Sequence, residues 1–337
     1  MDTIKNISII FTSIFFESLP FLLLGSLISS VIETYVSNEK IGELMPKNKI
    51  LGSIVGVFLG FFLPACDCAV IPVSKRLLKK KVPINVAISF MLASPIINPV
   101  VLLSTYNAFY KTNPLIFWYR LLFGIVIALL IGTIMEIIFS KKEVITNSLI
   151  DDEDEWCCHC HNHEEIDKDF EELKDEFKDS DFEKDCHCNH KEHKSHNLKN
   201  DILSISRHTA YDLFEVVKYL MFGALIASLT QVLLPRNILM IFTNSQILSI
   251  LVLMLFAYLI SLCSTSDSFI GKSLLSTFNE SSIIAYLLLG PMIDIKNTIV
   301  LLGNYKKSFV WTLISLIFIV IFLFSLLAVK ILWVKDI

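Results

Sequence analysis

The chain has 337 residues, 54% of them hydrophobic, with a mean hydropathy of +0.62 and a formal net charge of −4. Soluble domains hold about 45–50% apolar residues even with Gly counted, so this composition excludes an ordinary soluble protein and indicates an integral membrane one. The charge is divided: residues 151–200 carry 18 acidic against 7 basic side chains, leaving 15 acids and 22 bases for the apolar remainder.

The chain begins Met1-Asp2-Thr3-Ile4-Lys5, with no basic region leading to a small-residue cleavage site, so the first apolar run reads as a retained span. A bilayer core of about 30 Å needs about 20 helical residues at 1.5 Å each. Stretches of that length run from Ile7 to Ile32, Ile50 to Val73, Pro83 to Tyr106, Ile116 to Phe139, Leu213 to Leu234, Ile247 to Ile270, Ile283 to Leu302 and Phe309 to Val329. The expected fold is therefore an all-α polytopic membrane protein with about eight transmembrane helices. Lys75, Arg76, Lys79, Lys80 and Lys81 crowd one loop, which the positive-inside rule turns to the cytoplasm together with both termini and the acidic insert. Lys306 and Lys307 then fall outside, against the same rule.

Landmarks recur in order. Phe16-Glu17 and Leu24-Gly25 match Phe214-Glu215 and Phe222-Gly223; Cys66 to Lys75 matches Cys263 to Lys272; Ser94-Pro95-Ile96-Ile97-Asn98 matches Gly290-Pro291-Met292-Ile293-Asp294. This predicts two four-helix repeats, in residues 1–140 and 209–337, around a cytosolic insert at 141–208. An even number of spans makes the repeats parallel, whereas one re-entrant segment in each half inverts them.

Ionisable residues inside spans are costly, roughly 2.5–3.5 kcal/mol for Asp near the helix centre on insertion scales, and mark pathways for solutes or ions. Glu17 and Glu215 occupy matching places in the first span of each half, as proton carriers, as counter-charges or as interhelical hydrogen bonds; Lys218 stands one turn after Glu215. Pro64-Ala65-Cys66-Asp67-Cys68 and Ser94-Pro95-Ile96-Ile97-Asn98-Pro99 predict Pro-broken helices at midplane, the pattern from which transporters build sites. Cys66 and Cys68 are soft ligands that a regular helix sets about 200° apart, so joint binding needs local unwinding; otherwise they are small buried hydrophobes. In the second half Cys263, Ser264, Ser266 and Asp267 are followed by Pro291, Asp294, Lys296 and Asn297, with Asp294 and Lys296 placed to neutralise partners.

The insert holds five of the eight cysteines and seven of the eight histidines. Cys157, Cys158, His159, Cys160, His161 and His163 form one cluster, and Cys186, His187, Cys188 and His190 a second. Such density points to zinc or another thiophilic metal, the alternative being an acidic tether. No other cofactor is required. No Walker motif or Ser/His/Asp set occurs, so movement of a solute would be driven by a gradient or a partner.

Pro64 through Val73 with Lys81-Val82-Pro83-Ile84-Asn85, Ala93 through Pro99, Ser266-Asp267-Ser268-Phe269, and Leu289 through Asn297 resemble the predicted permease family that includes the ArsP-type methylarsenite and organoarsenical efflux permeases. The likeness covers nearly all of the membrane portion and both halves. It implies a multi-pass permease of the inner (cytoplasmic) membrane exporting trivalent organoarsenicals, whose thiophilic arsenic suits Cys66, Cys68 and Cys263; with the Cys/His insert leaving a metal ion open, the expected cargo is a soft metalloid or metal species. The alternatives are a channel subunit of a two-component permease, with a partner membrane protein and another small solute, and a metal-regulated protein sensing through the insert. No nucleic acid is expected as a partner.

Overall fold

The computed structural model describes residues 2–35, 48–62, 67–139, 144–145, 198–233, 245–260 and 262–335. The Cys/His clusters at Cys157–His163 and Cys186–His190, and Cys66 itself, lie outside the described residues. Within them the chain forms twelve helices and no strand: α1 (Asp2–Tyr35), α2 (Lys49–Phe62), α3 (Asp67–Lys79), α4 (Ile84–Ile97), α5 (Pro99–Phe109), α6 (Leu115–Phe139), α7 (Leu198–Leu233), α8 (Gln246–Ile260), α9 (Ser264–Leu274), α10 (Glu280–Met292), α11 (Ile295–Asn304) and α12 (Lys307–Lys335).

Four runs among these residues are long and apolar enough to cross a bilayer: Lys5–Val31, Leu115–Phe139, Glu280–Asn304 and Lys307–Lys330. The pair α4 and α5, bent by 40° at Asn98, makes a fifth. The expected span from Ile50 to Val73 is instead two helices running in opposite directions. Gly52, Gly56 and Gly60 line α2 at four-residue spacing, and a Cβ on them would come within 2.5 Å of Asn85, 2.3 Å of the Val86 carbonyl and 3.0 Å of the Ser94 nitrogen. Small residues let backbones approach this closely, and the order of contacts shows that α2 and α4 run parallel.

Helix α3 returns the other way. Its end is closed by Val82 N donating to Leu77 O and Lys81 N to Leu78 O, with Lys81 at φ 63°, a Schellman turn in which a lysine occupies the position glycine usually fills. A hairpin with α4 follows. The same reversal occurs later, where a Cβ on Gly271 would touch Leu287 and Ile283, and one on Gly290 would touch Asp267, so α9 is antiparallel to α10. Sequence periodicity could not separate a single span from two half-length helices, since the run from Ile50 to Val73 is apolar apart from Asp67 and a few small polar residues.

Corresponding helices of the two halves also run in opposite directions, against the parallel relation an even span count predicts. Thr209 donates to Ser30 at 3.0 Å while Ala224 and Ala227 pack on Ile14, which makes α1 and α7 antiparallel. Phe123 meets Phe324, and Phe139 meets Phe309, which does the same for α6 and α12. The halves cross over: α3 packs on α11, and α9 on α5. Helices α4 and α10 lie at the centre and are buried nearly all round, as helices without a polar face must be. Outer helices present Phe16, Phe58, Leu103, Trp118, Phe214 and Trp311 to the surroundings, a band that a bilayer can cover.

These directions remove the lysine conflict. Asn85, beside the Lys79–Lys81 turn, donates its backbone N–H to Glu136 Oε2 at 3.2 Å, so the end of α6 lies at that face. Lys306 N donates to Val144 O at 2.9 Å, and Ser74 lies 2.8 Å from the Tyr305 hydroxyl. Lys306 and Lys307 thus share the face of Lys79–Lys81. The starts of α1 and the ends of α7 and α12 point the other way, which corrects the expectation that both termini lie on the basic face.

Candidate substrate pathway

Each half breaks its third apolar stretch with a capping residue. Asn98 ends α4 by donating its N–H to Ser94 O at 3.2 Å and starts α5 by accepting from Val100 N at 3.0 Å, with Pro99 in the first turn, where a missing N–H costs nothing. Asp294 does the equivalent for α11, accepting from Asn297 N at 2.6 Å. Ser94, Pro95 and Pro291 are buried inside the helices that lead into these breaks.

At the break in the second half Asp67, the first residue of α3, meets α11. Lys296 Nζ lies 3.2 Å from Asp67 Oδ2 and 3.4 Å from Asp294 Oδ2, and Asn297 Nδ2 donates to Asp67 Oδ2 at 3.1 Å. All four side chains are at least 96% buried. Charges removed from water need partners, and this group supplies them from both halves. Cys68 extends beside it, its thiol 3.8 Å from Asp67 Oδ2 and 3.7 Å from Ser18 Oγ.

Two recesses open on either side of Asp67. The larger, with an empty volume of about 340 Å³, is lined by Glu17, Ser18, Asp67, Cys68, Cys263 and Lys296 together with Ile14, Phe21 and Leu262. The smaller, about 220 Å³, is lined by Asp67, Met91, Pro291, Met292 and Asn297 with Val70, Ile71, Ile293 and Leu301. The structure therefore brings Glu17, Asp67, Cys68 and Cys263 to one recess, and Asp67, Pro291 and Asn297 to the other. Cys263 precedes α9 and accepts a 3.4 Å contact from Thr265. The side chain of Glu215 is outside the described residues.

The other crossing, α9 on α5, has different chemistry. Arg120, wholly buried near the start of α6, donates through Nη1 to Thr105 at 2.6 Å and Ser268 at 2.7 Å, and through Nη2 to the Ser264 carbonyl at 3.3 Å. Asp267 accepts from the Tyr286 hydroxyl at 3.1 Å, and its Oδ2 has no hydrogen-bond partner among the described residues. Ser266 is half-buried on the same helix. Sequence reasoning did not single out Arg120, Tyr286, Ser18, Met91 or Met292. Arg120 carried a signal, a guanidinium one turn inside an apolar run, but that is where snorkelling ordinarily accounts for it.

No group of three or more Cys, His, Asp or Glu side chains placed to hold a metal ion occurs among the described residues. The family model described as "Predicted permease" (ArsP_1) matches residues 3–329. The chain belongs to that family. It is 34% identical over 318 residues to a Streptococcus mutans protein named "Putative two-component membrane permease complex subunit", covering 94% of this chain and 93% of that one. It is 35% identical over 318 residues to the UPF0718 protein YcgR of Bacillus subtilis, covering 94% and 95%. The UPF0718 protein MJ0584 of Methanocaldococcus jannaschii is 30% identical over 129 residues, 37% of this chain and 33% of that protein. No solved structure matches. This family member is thus a predicted membrane permease with several apolar helices, a transporter rather than an enzyme by kinship.

Proposed function

We propose that the chain is a multi-pass permease of the cytoplasmic membrane that exports a soft, thiophilic metal or metalloid species, driven by a gradient. Each half would contribute three crossings and one re-entrant hairpin, α2–α3 or α8–α9, the two halves being inverted copies. The observation that carries this is the recess shared by Cys68 of one half and Cys263 of the other, with Glu17, Asp67 and Lys296 in its wall. Thiolates suit soft centres, and carboxylates beside an ammonium can balance the charge of an entering solute.

In the mechanism, a solute reaching the recess would exchange two of its hydroxide or thiolate ligands for the sulfurs of Cys68 and Cys263, each thiol proton leaving with the ligand displaced, and Asp67 would move between Lys296 and the solute. Separation of α3 from α11 would open the basic face. Separation of α9 from α5, held by Arg120, would open the other. The Cys/His insert would deliver or sense the metal. Growth of a sensitive host on methylarsenite, arsenite and zinc, with and without the chain, is the test, paired with efflux from loaded cells. Protection by the wild type that disappears in Cys68→Ser with Cys263→Ser supports the reading; equal protection by both proteins refutes it.

A second reading has the chain as one subunit of a two-component permease, favoured by the printed name of the Streptococcus mutans relative. Purification from the native membrane distinguishes the two: a stoichiometric membrane partner, without which efflux is absent, supports the subunit.

A further inference from the structure

We propose that the smaller recess is a thioether site for a soft monovalent cation of the copper(I) or silver(I) type, a second station on the route from the thiols. The inference rests on the permease reading and narrows its substrate class. Met91 of α4 and Met292 of α10 are 96% and 95% buried and both line the recess, although they come from different halves. Thioether sulfur binds soft d10 cations and has little affinity for hard ones.

Three further features fit a small cation. Asn297 Oδ1 is buried at the recess without a hydrogen-bond partner among the described residues, a neutral oxygen free to accept one more contact. The Ser74 hydroxyl lies 3.7 Å from Met91 Sδ and is held by Tyr305 at 2.8 Å, which fixes the position of that thioether. Asp67 and Asp294 stand on either side of Lys296 at 3.2 and 3.4 Å, two carboxyl groups to one ammonium, so the neighbourhood offers a cation more acid than base. Asp67 belongs to both recesses and is the carboxylate they share on a route from sulfur to sulfur.

The test is silver nitrate titrated, free of chloride, into the purified full-length chain carrying ¹³C-methyl methionine. Each of the eight methionines gives its own methyl signal. Met91→Leu and Met292→Leu, nearly volume-conserving changes that a core tolerates, assign the two of interest. After the thiols and histidines are saturated, the Met91 and Met292 signals should move together with one silver dependence. Each Leu variant should weaken the response of the other at least tenfold, and Cys68→Ser should leave both responses in place. Signals that stay still to excess silver, or that move independently, overturn the proposal. Vesicle transport that fails while the methyl signals move would remove the permease reading and leave the site; working transport with still signals would remove the site alone.

Discussion

Lys296→Met isolates the electrostatic centre of the structure. The substitution keeps the length of the side chain and removes an ammonium that lies 3.2 Å from Asp67 and 3.4 Å from Asp294 at 3% exposure. Deleting one partner of a buried ion pair costs about 3–5 kcal/mol because the remaining charge is left without compensation. Here Asn297 still donates to both carboxylates, through Nδ2 and its backbone nitrogen, so the low end, about 3 kcal/mol, is expected. Asp67→Asn leaves Lys296 paired with Asp294 and should cost less, about 1–3 kcal/mol. In the double variant the loss should fall short of the sum by about 1–3 kcal/mol, the size of coupling seen between contacting residues. Unfolding midpoints of the four purified proteins in one detergent close this cycle. Additivity within about 0.5 kcal/mol would show that Asp67 and Lys296 are not paired, and the pathway assigned to them would lose its centre.

Three other outcomes follow from the geometry. Gly56→Ala pushes a methyl group to 2.3 Å from the Val86 carbonyl, a backbone atom that cannot swing aside; it should destabilise by about 1–3 kcal/mol, whereas Gly271→Ala, which meets the Leu287 side chain at 3.1 Å, should lose less than half of that in the same unfolding assay. Arg120→Lys keeps the charge but not the fork that spans Thr105, Ser268 and the Ser264 carbonyl. It should cut efflux at least tenfold with expression unchanged, and full efflux would show that charge alone suffices. Single cysteines placed at Lys307 and near Lys80 should react with an impermeant maleimide from the same side of sealed vesicles, and one at Lys5 from the opposite side; any other pattern refutes the helix directions.

Legibility in the sequence followed energetic cost. Asp67, Cys68, Cys263, Asp294 and Asn297 stood out because polar groups in apolar runs are expensive unless they serve a purpose, and the structure places all five at the walls or supports of the two recesses. Chain direction was hidden. A 24-residue apolar run satisfies the length of one span and equally that of two half-length helices, and only the pairing of Gly52, Gly56 and Gly60 with α4 decides between them. The four-residue glycine spacing and Pro64 were the local hints. A stronger hint was the pair Lys306 and Lys307, which the positive-inside rule set against an eight-span topology. Arg120 escaped for a related reason. Its partners come from α5 and α9, two helices that meet only because the halves run in opposite directions, so no reading that kept them parallel could have brought the guanidinium to its hydroxyls. The two crossings that this inversion creates are alike in architecture and unlike in chemistry, an acid–amine group at one and a hydroxyl-bound guanidinium at the other. The proposed pathway between them would therefore meet different groups at its two ends, while the direction of net flow would be set by the driving gradient.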